Sequence, residues 1–279
     1  MSPTNRTPAE SIPRSRNSGK DRGGIAAVST ACAALLVLGV PNAAQSQPQA
    51  RSPAKAVPYP GAARPTAAPP PGPAGPVPRM RDGKPDLSGM WNGQRALPNQ
   101  PDPEMFPWAA ALTKQRTENY SADDPEARCL PGGVPRSAPY HTQYVQTPKL
   151  LLMLIEGNIH SFRQIFLDRT AHLKNFEQLW YGDSIGQWDG DTLVVDTVGF
   201  NDRFWFDMAG HPHTTQLHVI ELYHRRDYGN MDIQVTIDDP GAYSKPWVTN
   251  RVATLETQID MSEYVCNENN SDALHLVGK

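Results

Sequence analysis

The chain has 279 residues, a formal net charge of −3 and 20% charged residues, which argues against a strongly basic nucleic-acid binder. It carries 28 prolines and 21 glycines, and residues 47–79 hold 11 of those prolines, so that stretch forms neither a helix nor an inner strand. The one long apolar run lies near the N-terminus, which excludes a polytopic membrane protein.

Residues 1–46 read as a secretory signal peptide. Arg14, Arg16, Lys20 and Arg22 form a basic region, residues 25–40 are uncharged and apolar, and Ala44-Gln45-Ser46 is a small-x-small cleavage pattern. A short membrane anchor is the alternative, but sixteen Ala-rich residues are marginal for crossing a hydrocarbon core of about 30 Å. Cleavage leaves a periplasmic or secreted chain with 21 basic and 27 acidic residues, unsuited to phosphate backbones.

Residues 47–82 read as a Pro/Ala-rich disordered linker, a spacer rather than a specific proline-rich ligand. A single domain follows over 83–279. Trp108 to Glu118, preceded by Pro107, predicts a helix with proline in its first turn. The loop over 124–139 carries Cys129. With Cys266 it makes two cysteines in the mature chain, which an oxidising compartment joins most simply as one disulfide; two unpaired buried thiols are the alternative.

From residue 140 the pattern becomes strands. Residues 150–155 are a continuous apolar run suited to burial on both faces, and residues 159–167 alternate. Residues 185–198 read as a hairpin around Asp189-Gly190, with the composition of a type I′ turn. Residues 217–226, 231–238, 248–255 and 259–265 complete about eight strands. Strands in sequence with short turns predict an antiparallel up-and-down, lipocalin-like barrel with one N-terminal helix; a two-sheet sandwich is the alternative.

Several motifs, GKPDLSGMW (83–91), DPEARCLPGGVPR (124–136), VQTP (145–148), WDGDTLVVDTVGFND (188–202), GHPH (210–213), IDDP (237–240) and YVCNEN (264–269), resemble those of a family of exported bacterial proteins. The resemblance spans roughly 83–270. It implies export and one shared fold, and no particular reaction.

The densest polar region, 199–224, mixes ionisable groups with aromatics, which suits a pocket for a small organic molecule or else a surface loop anchored by its aromatics. His211 and His213 flank Pro212, so in an extended segment both rings point the same way. They could hold a divalent metal, with His160, His218 or Glu221 as third ligand, or serve in proton transfer; satisfying backbone groups is the plainer role. Asp202 or Asp207 would orient one of the rings. Asp196 shares a strand face with Val194 and Val198; if that face is inward it is a buried carboxylate, with Arg163 as a partner in a structural pair or a catalytic one. Glu221 lies on a face with Leu217, Val219 and Tyr223.

The leading expectation is an exported acid–base enzyme of the lyase, isomerase or hydrolase class, with or without metal assistance, acting on an aromatic or cyclic molecule. His211, His213, Asp202, Asp207 and Asp196 are its candidate catalytic residues, and Arg163, Glu221, Trp205 and Tyr223 its substrate-binding residues. A non-catalytic lipocalin-like binding protein and an envelope interaction module are the competing expectations. No GxSxG elbow and no phosphate-binding glycine loop is present.

Overall fold

The computed structural model describes residues 70–157, 159, 161–175 and 177–268. The expected signal peptide, most of the expected proline-rich linker and His160 lie outside them. Nine strands close into one barrel in sequence order: β1 (Gly89–Ala96), β2 (Thr142–Gln146), β3 (Leu150–Ile155), β4 (Ser161–Phe166), β5 (Asp183–Asp189), β6 (Thr192–Val198), β7 (His218–Arg225), β8 (Asn230–Asp238) and β9 (Trp247–Glu256). Helix α1 (Pro107–Glu118) follows β1 and has Pro107 in its first turn, as expected, and a one-turn 3-10 helix spans Pro125–Arg128. Among the described residues no helix is long and apolar enough to cross a membrane.

The barrel differs from a pure up-and-down meander in one respect. Strands that alternate direction around a closed ring must be even in number. Nine strands, with β9 antiparallel to β1, therefore require one parallel neighbour pair, and that pair is β4–β5. The 167–182 connection crosses over to make it. Two strands were not foreseen as such: β1, whose Gly89 and Gly93 weaken a strand signal, and β2. Residues 259–265 form no strand, because β9 already closes the ring against β1.

The β5–β6 turn is also displaced by one residue. Asp189 pairs with Thr192, so Gly190 and Asp191 are the central residues, and only Gly190 has a positive φ, +57°. That is the pattern of a type II′ turn rather than the expected I′.

Alternation places Leu151, Ile165, Leu193, Val195, Val219, Met231, Ile233, Val235 and Ile237 inside the wall. Of the apolar run in β3, only the inward half, Leu151, Met153 and Ile155, is buried. One end of the barrel is closed by the chain before β1. Leu87 N–H donates to Gln146 Oε1 at the end of β2, Arg225 at the end of β7 donates to Asp86 O, and Trp91 Nε1 donates to Leu87 O. Arg79 pairs with Asp191 beside the β5–β6 turn, and Gly72 and Gly75 bond to Asn230 and Tyr228 in the β7–β8 turn. Residues 72–82, assigned above to the linker, thus lie against the barrel.

The opposite end is covered by residues 132–138. Gln94 N–H donates to Ala138 O and Arg136 Nη1 to Asp207 O. Gly133 has φ +67°, and a Cβ there would sit 2.5 Å from the Phe204 ring, so this cap position suits glycine alone. The predicted Cys129–Cys266 disulfide is present and ties the segment before the cap to the chain after β9.

Candidate functional site

The barrel interior is not filled with hydrocarbon throughout. Arg163 on β4 and Glu221 on β7 face each other across it, 4% and 2% exposed, with Arg163 Nη2 donating to Glu221 Oε2 at 2.5 Å. Both point inward by strand parity. Arg163 shares its face with Ile165, and Glu221 shares its face with Val219 and Tyr223. Around them the network continues. Arg163 also donates to Ser184 Oγ (3.2 Å) and Thr197 Oγ1 (2.9 Å), and Tyr223 Oη donates to Glu221 Oε1 (2.7 Å). Gln94 Nε2 donates to the hydroxyls of Tyr144 (3.2 Å) and Tyr223 (3.3 Å).

Charges this deep persist only when paired and hydrogen-bonded. Burial works against the Arg163 cation, but Glu221 more than offsets it and holds Arg163 firmly protonated. Burial pushes the Tyr144 and Tyr223 hydroxyls well above the usual tyrosine range, and Glu221 pushes them further. Both stay neutral.

This cluster forms one wall of a cavity of about 20 Å³, space for one or two waters. Gly133, Val134, Pro135, Ser137 and Ala138 of the cap form the opposite wall. Arg163, Glu221 and Tyr223, expected as binding residues, therefore do converge on one cavity. Trp205 does not reach it. Its ring is buried beneath the Arg116 guanidinium, whose centre is 4.4 Å from the ring centroid, with Arg136 at 5.8 Å.

The expected catalytic residues lie elsewhere. Asp196 faces outward, its side chain 41% exposed, because Leu193, Val195 and Thr197 take the inner face of β6. Its oxygen Oδ1 meets His172 Nε2 (3.0 Å) and His218 Nε2 (2.9 Å), not Arg163, so the expected Asp196–Arg163 pair is replaced by Glu221–Arg163. The apolar residues on both faces of β6 concealed which face was inner.

Asp207 does orient a histidine: His211 Nδ1 lies 2.7 Å from Asp207 Oδ2. An ionised carboxylate only accepts, so in the neutral ring Nδ1 bears the proton and Nε2 can accept. Burial opposes ionisation of Asp207, but its bonds from His211 prevail and hold the carboxyl below its usual range. His213 is buried between Phe204 and Phe206, ring centroids 4.0 and 5.0 Å away, with Nδ1 3.2 Å from Thr214 O. Asp202 is exposed, and its charge reaches His213 only at a distance. None of these five residues lines the cavity.

Among the described residues, no group of three or more His, Cys, Asp and Glu side chains is placed to hold a metal ion. His211 and His213 therefore find no third ligand there, and His218 and Glu221 are engaged by Asp196 and by Arg163.

Three interior residues were not anticipated: Gln94, Tyr144 and Arg251. The parity argument that placed Glu221 inward applies equally to Arg251, which shares the inner face of β9 with Thr249, Ala253 and Leu255. Among the described residues, the buried polar atoms with no hydrogen-bond partner include Gln94 Oε1, Thr249 Oγ1, Arg251 Nε, Trp247 Nε1 and His213 Nε2; an unmet polar group of this kind costs about 1–3 kcal/mol.

Comparison with known proteins adds no relative: no family model, no curated protein and no solved structure matches this chain.

Proposed function

We propose that the barrel is an exported binding protein that takes a small polar organic molecule at its capped end, against Arg163, Glu221, Tyr223, Tyr144 and Gln94. The observation that carries this reading is a charged and hydroxyl-bearing cluster, held rigid by its own hydrogen bonds, bordering a cavity inside a closed barrel. Two neutral tyrosines and a permanently charged arginine orient a ligand; they do not exchange protons near neutral pH. Anything larger than a water or two enters by displacing residues 132–138. The disulfide favours an oxidising compartment, in keeping with the signal-like N-terminus and with the resemblance to exported bacterial proteins.

The test is a panel of small aromatic and cyclic polar compounds, read by tryptophan fluorescence and melting temperature. A true ligand at one hundred times its Kd adds about 2.7 kcal/mol of stability. Tyr223→Phe and Gln94→Ala should each weaken binding about tenfold, the worth of one lost hydrogen bond. A panel that moves neither signal overturns the reading.

One observation favours the enzyme reading as a second choice: the Asp207–His211 pair, in which a carboxylate fixes the ring and leaves Nε2 able to take a proton. Incubation of bound compounds with the protein, followed by mass spectrometry, separates the two. Conversion lost in His211→Ala at unchanged melting temperature would make this an enzyme.

A further inference from the structure

Strand β9 presents Trp247, Thr249 and Arg251 at successive inward positions, and each has a buried polar atom without a partner: Nε1, Oγ1 and Nε. Their neighbours on β8, Ile237, Val235 and Ile233, are apolar and offer nothing to bond. Among the described residues, the one hydrogen bond made by the Arg251 side chain runs from Nη1 to Pro135 O, 3.4 Å away on the cap side of the cavity. Nε is left without a partner, and the Nε–Nη2 edge is one of the guanidinium faces that take a carboxylate with two parallel bonds.

The charges around Arg251 point the same way. Burial pulls its pKa below the usual arginine range, and the two carboxylates that counter this are Glu221 and Asp207. Glu221 is already held by Arg163 and Tyr223, and Asp207 by His211 and by two backbone N–H groups. Of the two guanidiniums inside the wall, then, Arg163 is bonded to the Glu221 carboxylate, and Arg251 feels that charge without a bond to it. A charge in that position is stable when an anion joins it.

We infer that Arg251 and Thr249 form an anion-recognition site inside the barrel, and that the molecule bound there carries a carboxylate. This rests on the binding reading above and gives its ligand a chemical class. The guanidinium edge holds both oxygens, and the Thr249 hydroxyl, two residues along the same face, donates a further bond. Arg251 and Thr249 do not themselves line the cavity; the remainder of the ligand reaches it at Gln94 and Tyr223, where the Gln94 Oε1 acceptor is open to a donor, as residues 132–138 give way. A neutral or cationic molecule of the same shape leaves the guanidinium unpaired.

The test uses isothermal titration calorimetry on the full exported protein with two matched pairs, acetate with acetamide and benzoate with benzamide. The acid of at least one pair should bind tenfold or more tightly than its amide. Arg251→Gln should remove that preference, and Thr249→Val should weaken the acid several-fold. Without ligand, Arg251→Gln should melt no lower than the parent protein, since it removes an unpaired charge. Acid and amide binding equally well would overturn the inference while leaving the binding reading intact. No binding of any of the four would overturn both. A large drop in melting temperature in Arg251→Gln would make Arg251 a structural residue and would also overturn it, with Thr249→Val still reporting on the site if that variant fails to fold.

Discussion

Single residues decide what the interior can do. Arg163 and Glu221 illustrate the asymmetry of buried pairs: losing one partner is far worse than losing both. Arg163→Met strands the Glu221 carboxylate and should cost about 3–5 kcal/mol in urea unfolding, whereas adding Glu221→Leu should recover most of it. A single-variant loss below about 1 kcal/mol, within the range of an ordinary surface pair, would show that Glu221 has another adequate partner. His213 gives a pH dependence of definite sign. Burial between two phenylalanines lowers its pKa below 6.5, with the Thr214 carbonyl only partly opposing this. The unfolded chain therefore takes up a proton below about pH 6.5 that the folded protein refuses, so stability falls as the pH drops through that point. His213→Phe should flatten the loss of melting temperature between about pH 7 and 5. At this scale the sequence was readable where one strand face was clearly apolar, as for Glu221 between Val219 and Tyr223. It misled at Asp196, where Val194 and Val198 made the outer face look like the inner one.

Elements with strong local signals matched expectation: the proline-led helix, the alternating β8 and the paired β5 and β6. Local signals do not, however, report what the rest of the chain supplies. β1 is a strand because β2 and β9 flank it, despite two glycines, and residues 259–265 are not, because no edge remains for them. The cap is fixed from outside as well. Arg136 pairs with Asp124 at 2.5 Å and with Glu126 at 3.1 Å, and the disulfide fastens the same segment to the chain beyond β9. The bridge spans 137 residues, worth about 5 kcal/mol by chain entropy. Replacing both Cys129 and Cys266 with serine should cost up to that amount in chemical unfolding, and a thiol assay on denatured, unreduced protein lacking residues 1–46 should find no free thiol.

For the molecule as a whole, closure was legible in the succession of strands, but its parity was not. Nothing in the residues of β4 or β5 announces a parallel pairing; the number of strands and the antiparallel contact between first and last require such a pair somewhere in the ring, and it falls at β4–β5. The two closed ends likewise depend on chain outside the sheet: residues 72–88 at one end and 132–138 at the other.

The parallel pair has a mechanical consequence. β4 and β5 share only two matched positions, Ile165 with Ser184 and Phe166 with Ile185, whereas β8 and β9 share eight. Side chains supply much of the stitching there. Inside, Arg163 reaches Ser184 and Thr197; outside, Arg169 and His172 reach Asp183, and His172 continues to Asp196. A wall riveted in this way should part along that line before it melts, so amide hydrogens of residues 161–164 should exchange with deuterium sooner than those of β8, at a free energy below that of global unfolding.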